Sequence, residues 1–119
     1  MSAMRDTVLV VDDEAASGES ICLILADAGF KTVHANNGHQ ALALLEAFDP
    51  ALVIADMRMP VMDGRAFVRA LNERYARAIP FPVLMVSGLD AALPDGTVAF
   101  LRKPIDAKQL VAAVREYVR

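Results

Sequence analysis

The stretch TVLVVDDE, Thr7–Glu14, decides the fold, because an uncharged run of five residues meets three carboxylates there. Short runs rich in valine and other β-branched residues are typical of strands buried within a sheet. Neighbouring carboxylates repel one another, and their clustering is costly unless a cation compensates the charge or a proton is shared. The stretch therefore predicts a buried strand whose carboxyl end carries an acidic site.

Strand and helix patterns alternate along the rest of the chain. Helical spacing of apolar residues, as at Ile21, Leu25 and Ala28, follows four of the five predicted strands. A glutamine three residues after Asn37 and after Asp106 resembles a capping box at two helix starts. Because crossovers between parallel strands are right-handed, this alternation predicts a parallel sheet covered by helices on both faces. The predicted strands are Thr7–Val11, Lys31–Ala35, Ala51–Ala55, Val83–Val86 and Val98–Leu101.

The segment GLDAALPDGT, residues 88–97, breaks this alternation between the fourth and fifth strands. Pro94 and the Asp95-Gly96 pair oppose a long helix, since proline lacks an amide donor and the residue before it avoids the helical region. Room remains for about one turn, from Asp90 to Leu93. The sequence therefore predicts a shortened or irregular fourth helix.

The composition fits a single domain over residues 1–119, which is either a whole protein or a piece of a longer one. Hydrophobic residues make up 55% of the chain, which argues against disorder. The net charge of −3 argues against direct nucleic-acid binding, which needs a basic stripe. The single cysteine, Cys22, excludes an intramolecular disulfide. Since the chain has neither a long apolar run nor a signal-peptide pattern, we expect no membrane insertion and a cytoplasmic location.

Polar side chains follow the predicted strands at the points where these strands end. Asp12 and Asp13 follow the first strand, Asp56 the third, Ser87 the fourth and Lys103 the fifth. Ligands of open parallel sheets bind beyond the carboxyl ends of the strands, so we expect these groups to converge. Carboxylate oxygens suit Mg²⁺, and a lysine ammonium suits a phosphoryl oxygen. The pattern predicts a site that holds a metal ion beside a phosphoryl group.

Four motifs occur in order along the chain, each at the end of a predicted strand. They are VDDE at 11–14, DMRMPVMDG at 56–64, VSG at 86–88 and KP at 103–104. In this combination, over nearly its whole length, the chain resembles the response-regulator receiver domain, the phosphoacceptor module of two-component signalling. The resemblance implies an α/β, flavodoxin-like doubly wound (βα)5 sandwich whose five-stranded parallel sheet has the order 2-1-3-4-5.

The resemblance also implies a metal site beside a nucleophile. Asp56 matches the aspartate that becomes phosphorylated, a form of covalent catalysis. Asp12, Asp13 and Asp56 would hold Mg²⁺, with Mn²⁺ as a second candidate, and the backbone carbonyl of Arg58 matches a further ligand. Gly64 matches a glycine of the loop that follows the site. Taken alone, Asp13 would more often be a helix N-cap than a metal ligand, and it could serve as both.

A second group of residues matches the parts of the family that bind the phosphoryl group and respond to it. Lys103 would bind a phosphoryl oxygen and pair with Asp56 before modification, and the bond between it and Pro104 is cis in the family. Ser87 matches the switch hydroxyl. Phe100 matches the switch aromatic residue, although it has no hydroxyl and would act through packing alone.

The resemblance implies partners as well as a site. The phosphoryl donor would be a sensor histidine kinase or a histidine phosphotransfer protein, and the recipient of the signal an unspecified downstream protein or output domain. Such a domain catalyses only its own phosphorylation and dephosphorylation, so we do not expect an enzyme. Two alternatives stay open: a receiver-like binding scaffold that is never phosphorylated, and a small phosphotransferase or phosphatase. Both histidines, His34 and His39, are expected at the surface.

Overall fold

The computed structural model describes residues 6–88 and 92–118, which form five strands and four helices. None of these helices is long and apolar enough to cross a membrane. In chain order the elements are β1 (Thr7–Val11), α1 (Ala15–Asp27), β2 (Lys31–Ala35), α2 (Gly38–Leu45), β3 (Leu52–Asp56), α3 (Gly64–Arg74), β4 (Val83–Ser87), β5 (Ala99–Arg102) and α4 (Ala107–Tyr117). Strands and helices therefore alternate as predicted, except between β4 and β5.

The five strands form one parallel sheet in the order β2-β1-β3-β4-β5, which confirms the predicted fold. β1 lies inside the sheet, where Leu9 pairs with Val33 of β2 and with Val53 of β3. β3 and β4 each end one residue later than predicted, at Asp56 and Ser87, because both polar residues still pair with a neighbouring strand. These two polar residues are thus held by the sheet itself and not by a loop.

Two apolar clusters cover the two faces of the sheet. Leu9 of β1 and Phe67 of α3 belong to the first cluster, which lies beneath α2 and α3. Val10 of β1 and Leu110 of α4 belong to the second cluster, which lies beneath α1 and α4. All four are fully buried, and the two neighbours in β1 separate because successive strand residues point to opposite faces. The sheet is therefore the middle of three layers, as a parallel sheet requires.

Side-chain caps begin three of the four helices. The caps are Asn37 for α2, Asp63 for α3 and Asp106 for α4. Each accepts a hydrogen bond of 2.8 Å from an amide two or three residues later, which satisfies a donor that the first helical turn leaves free. α1 has no such cap, and Asp12 binds the amide of its N-cap residue Glu14 instead.

The link between β4 and β5 contains no helix at Gly88 or in residues 92–98, the parts of it that the structure describes. Asp90, the first residue of the predicted helical turn, lies outside the described residues, and Leu93, the last, is not helical. The Thr97 amide and hydroxyl both donate to the Pro94 carbonyl, over 3.3 and 2.7 Å. The described part of the link is therefore irregular, which proline and glycine account for.

Two side chains of α3 hold this link. Arg65 donates from Nη2 to the carbonyl of Ala92 over 2.6 Å, and Asn72 donates from Nδ2 to the carbonyl of Asp95 over 2.8 Å. Guanidinium and amide groups donate readily to carbonyls. These two bonds therefore satisfy backbone carbonyls that would accept from backbone amides if this segment were helical. The described part of the link, which is irregular, is thus held in place by side chains of α3.

Candidate functional site

Three carboxylates converge at the carboxyl edge of the sheet. Asp12 and Asp13 follow β1, and Asp56 is the last residue of β3. Because β1 pairs with β3, Val11 lies opposite Ala55, and these two residues directly precede Asp12 and Asp56. One oxygen from each carboxylate lies within 4.8 Å of the others. Asp12 and Asp56 are 1% and 7% exposed, whereas Asp13 is exposed. Strand register thus brings together acidic groups that are far apart in the sequence.

Backbone amides orient the two buried carboxylates. The Glu14 amide donates to Asp12 Oδ1, and the Arg58 amide donates to Asp56 Oδ1, each over 2.9 Å. In both cases a carboxylate accepts from the amide two residues later, as in an Asx turn. Such charge-assisted bonds are stronger than neutral ones, so they fix each Oδ1 and leave each Oδ2 for other partners. The Arg58 carbonyl as a metal ligand stays a prediction.

Lys103 lies against both buried carboxylates. Its Nζ is 2.7 Å from Asp56 Oδ2 and 3.7 Å from Asp12 Oδ2. Lys103 is positioned by the pairing of β4 with β5, since its amide donates to the Ser87 carbonyl over 2.8 Å. The peptide bond between Lys103 and Pro104 is cis, as the family resemblance implies. Burial lowers the pKa of the Lys103 ammonium, but the hydrogen bond and charge of Asp56 and the charge of Asp12 outweigh it and raise the pKa above its ordinary value.

The raised pKa predicts a loss of stability at alkaline pH that depends on Lys103. A group whose pKa is higher in the folded state stabilises fully below its unfolded pKa, about 10.4 for lysine, and the stabilisation disappears as pH rises through the folded pKa. Because solvent screens this partly exposed pair, we expect a loss below about 1 kcal/mol. Urea unfolding from about pH 9 to about pH 11 measures it. Lys103→Met should remove this loss and Lys108→Met should retain it; identical pH profiles for the parent and Lys103→Met would contradict the prediction.

The second oxygen of Asp12 supports a metal site. It is buried, and no residue in the described parts of the chain hydrogen-bonds to it, although buried carboxylate oxygens nearly always have partners. The ligand set that it forms with Asp13 and Asp56 consists of oxygen alone, which suits Mg²⁺. The exposure of Asp13 leaves one side open to the waters that Mg²⁺ retains. These residues therefore fit a divalent cation of this class.

The two predicted switch residues lie on neighbouring strands. Ser87 is the last residue of β4 and is 2% exposed. Phe100 pairs with Met85 across β4 and β5, is half-buried, and packs against the cluster beneath α2 and α3. Both residues thus lie in the sheet, Ser87 at its carboxyl edge and Phe100 against the apolar core. Their switch roles stay predictions.

Gly64 closes the loop that follows Asp56. Its amide donates to the Met57 carbonyl over 3.0 Å. A Cβ at this position would lie 2.6 Å from the Asp56 carbonyl oxygen and 2.7 Å from Met57 Cα. Both are backbone atoms that have no rotamer by which to move away, so the loop has no room for a side chain. The glycine is therefore required by close backbone approach.

His34 lies beside the site, contrary to the expectation of a surface residue. Its Nε2 is 2.8 Å from the Asp12 carbonyl oxygen and its side chain is half-buried, whereas His39 is exposed as expected. Since a carbonyl only accepts, Nε2 carries the proton. A Cβ at Gly18 would overlap the His34 ring, so the ring packs directly on the backbone of α1. A glycine inside a helical pattern was the available signal for this close approach.

Gly18→Ala tests this contact through its dependence on His34. We expect the single substitution Gly18→Ala to destabilise the protein by about 1–3 kcal/mol, because the new methyl group displaces the His34 ring. In a His34→Ala background we expect it to stabilise by roughly 0.5–1 kcal/mol, since alanine favours a helix more than glycine does. Urea unfolding of the four proteins gives the coupling. Effects that add within about 0.5 kcal/mol would mean that the two residues do not interact.

Comparison with known proteins agrees with this geometry. A family model described as the response regulator receiver domain matches residues 8–115. The DNA-binding response regulator MtrA of Mycobacterium bovis is 34% identical and covers 100% of this chain and 53% of its own length. Response regulator Rre1 of Synechocystis sp. is 38% identical, over 92% of this chain and 50% of its own length. The chain thus spans about half the length of the curated relatives it matches.

Solved structures agree as well. Chemotaxis protein CheY4 of Vibrio cholerae superposes with a TM-score of 0.85 at 28% identity, over 98% of this chain and 100% of that one. The signal receiver domain of a histidine kinase from Syntrophus aciditrophicus gives 0.84 at 30% identity, over 94% of this chain and 89% of that one. With the family model matching most of its length, the chain belongs to the response regulator receiver domain family of two-component signalling.

Proposed function

We propose that this domain is a phosphoacceptor switch. Asp56 accepts a phosphoryl group from the phosphohistidine of a sensor histidine kinase or a histidine phosphotransfer protein, and the modified domain binds a downstream protein or output domain differently. The observation that supports this most is the surroundings of Asp56, with Lys103 Nζ at 2.7 Å and oxygens of Asp12 and Asp13 within 4.8 Å. Phosphoryl transfer needs positioned charges of this kind.

Nucleophilic attack falls to a carboxylate oxygen of Asp56. An oxygen–phosphorus bond forms while the phosphorus–nitrogen bond of the donor histidine breaks, and the imidazole nitrogen keeps the electron pair. The Arg58 amide and Lys103 hold the carboxylate in one orientation, over 2.9 and 2.7 Å, which lowers the entropy cost of attack. Asp12, Asp13, Asp56 and the Arg58 carbonyl would hold Mg²⁺ or Mn²⁺, which would supply positive charge for the phosphoryl oxygens.

The response to modification uses the next two strands. Lys103, which pairs with Asp56 in the unmodified protein, binds a phosphoryl oxygen after transfer. The Ser87 hydroxyl donates to another phosphoryl oxygen, and half-buried Phe100 repacks with it. The acyl phosphate thereby shifts a population between two arrangements of this edge of the sheet. Attack of water on phosphorus breaks the bond to the Asp56 oxygen, releases inorganic phosphate and restores the carboxylate.

The proposal is tested with acetyl phosphate as a small donor. In Mg²⁺, the intact mass should rise by one phosphoryl group, and chelation of the metal should prevent the rise. Asp56→Asn should abolish the gain, whereas Asp63→Asn, at the cap of α3 in the adjoining loop, should keep it. Absence of any gain in the parent would favour the unphosphorylated scaffold. Sustained turnover of p-nitrophenyl phosphate would favour a phosphatase instead.

A further inference from the structure

A cleft lies between α3 and the irregular link that joins β4 to β5. Its volume is about 660 Å³, within the range of about 300–1,000 Å³ that is usual for sites of small molecules. Pro94 and Asp95 of the link line one side, and Arg77, which follows α3, lines it as well. The other lining residues recur at spacings of three and four and so share one face of α3: Arg65, Val68, Arg69, Asn72, Glu73 and Ala76. We call this space the α3 cleft.

Hydrogen bonds join the two walls of the α3 cleft. Arg65 of α3 donates to the Ala92 carbonyl, and Asn72 donates to the Asp95 carbonyl. Gly96 of the link has a φ of 95°, and a Cβ there would lie 2.9 Å from Asn72 Oδ1, so the link passes close to α3 at this point. The cleft is therefore formed by the fold itself, as small-molecule sites usually are.

Two guanidinium groups in the α3 cleft are available to a ligand. Arg69 and Arg77 are both exposed, and within the described residues their side chains make no hydrogen bond or salt bridge. This holds although the carboxylates of Glu73 and Asp95 line the same cleft. A guanidinium presents a planar fork of donors that matches the oxygens of a phosphate group. The cleft thus offers two groups suited to a phosphate.

Arg77 occupies its place in the α3 cleft in spite of backbone strain. Ala76 and Arg77 have φ values of 51° and 65°, in the left-handed region that glycine or asparagine usually takes at a helix end. The turn is fixed, since the Arg77 amide donates to the Asn72 carbonyl over 2.7 Å and the Ala78 amide to the Tyr75 carbonyl over 2.9 Å. Strained residues cluster at sites where ligands bind. An arginine where glycine would fit without strain therefore indicates that its side chain is used.

We propose that the α3 cleft binds a nucleotide. The phosphate accepts hydrogen bonds from the guanidinium groups of Arg69 and Arg77, and the base lies against the apolar side chains of Val68 and Pro94. The cleft is lined by residues other than those around Asp56, so this inference does not rest on the proposed function.

The two carboxylates of the α3 cleft favour a nucleotide over a simple anion. Glu73 and Asp95 only accept hydrogen bonds, which suits the hydroxyl groups of a ribose or the amino group of a base. The same carboxylates repel a ligand that is anionic throughout, such as pyrophosphate. We therefore expect the cleft to distinguish the two kinds of ligand.

Calorimetric titration tests the proposal. The probes are the mono- and diphosphates of adenosine, guanosine, cytidine and uridine, with inorganic pyrophosphate as the simple anion. A chelator in the buffer prevents any probe from binding through a metal ion at the acidic edge. We expect at least one nucleotide to bind with a Kd of about 0.1 mM or tighter, and pyrophosphate to bind about tenfold more weakly or less.

Arg77→Asn separates binding from folding. Asparagine removes the guanidinium and tolerates a positive φ, so we expect the melting temperature to rise while the Kd increases by about tenfold or more. Arg69→Gln should weaken binding by a similar factor, and it decides the matter if Arg77→Asn does not fold. Arg115→Gln is the matched control, because it removes an exposed arginine from α4 instead, and it should keep the Kd within about twofold of the parent.

Three results would overturn the nucleotide site. They are a parent that binds none of the nucleotides, a bound nucleotide that Arg69→Gln and Arg77→Asn hold as tightly as the parent, and an equal loss in Arg115→Gln. Pyrophosphate that binds as tightly as the best nucleotide would overturn the assigned class of ligand. The proposed function is tested separately, since acetyl phosphate should modify Arg77→Asn and the parent at the same rate.

Discussion

Lys103→Met is expected to lower the free energy of unfolding by about 2–3 kcal/mol in buffer without divalent cations. Methionine keeps the apolar length of the side chain but removes the ammonium, which leaves the buried carboxylates of Asp12 and Asp56 without the cation that pairs with them. Removing one partner of a fully buried pair costs about 3–5 kcal/mol. We expect less because the Lys103 side chain is 28% exposed.

Mg²⁺ distinguishes this charge effect from a packing effect. Since a bound cation compensates the carboxylates, saturating Mg²⁺ should restore part of the stability that Lys103→Met loses. Urea unfolding with Mg²⁺ and with a chelator measures the difference. Lys108→Met, at an exposed position of α4, should stay within about 0.5 kcal/mol of the parent in both buffers. An equal loss in both buffers would point to packing and not to charge.

The same substitution should also slow phosphorylation. Without the ammonium, the transferred oxygens lose one of the positive charges arranged around them, and removal of such a charge typically costs about a hundredfold or more in rate. We expect Lys103→Met to gain mass from acetyl phosphate about a hundred times more slowly than the parent. An unchanged rate would remove Lys103 from the phosphoryl-binding role.

Gly64→Ala is expected to destabilise the protein by about 2–4 kcal/mol. The added Cβ would lie 2.6 Å from the Asp56 carbonyl oxygen, 2.7 Å from Met57 Cα and 2.8 Å from Met85 Cε. Two of these atoms belong to the backbone at Asp56 and Met57, so relief of the overlap has to move the end of β3. We therefore expect the Mg²⁺ affinity of the variant to fall together with its stability.

Gly38→Ala is the matched control for this effect. Its Cβ would lie 2.6 Å from Met62 Sδ and 3.0 Å from Met62 Cγ, which belong to a flexible side chain that can turn away. Gly38 also begins a helix, where alanine is favoured. We expect a change below about 1 kcal/mol by urea unfolding. If both glycines gave similar losses, backbone proximity would not be the cause.

Local patterns predicted the sheet because its strands lie in apolar runs. Ala51–Ala55 contains only apolar residues, and the observed strand Leu52–Asp56 is fully buried. The acids at the strand ends were visible for the same reason, since charge directly after such a run is unusual. The order of the strands came from the family resemblance, because strand periodicity alone does not say which strands are neighbours.

The partners in contacts between segments distant in sequence were not predicted, although Gly18 signalled a close approach to the backbone of α1. His34 reaches the Asp12 carbonyl because β2 pairs with β1, and nothing in KTVHA marks that residue. The positive φ of Val61, 68°, was not predicted either, because valine has no preference for a positive φ and the sequence pattern carries no sign of one. In Asp12 and Asp56, one carboxylate oxygen accepts from a backbone amide and the other faces Lys103. This arrangement depends on side-chain geometry in the folded protein, which the sequence does not show.

The described residues of the link between β4 and β5 are tied to α3 at two points. Arg65 and Asn72 of α3 donate hydrogen bonds to the carbonyls of Ala92 and Asp95, respectively. A displacement of residues 92–95 would therefore either move α3 with them or break these two hydrogen bonds. Because α3 begins at Gly64, close to the backbone of Asp56 and Met57, the placement of residues 92–95 depends on the same helix that starts beside Asp56.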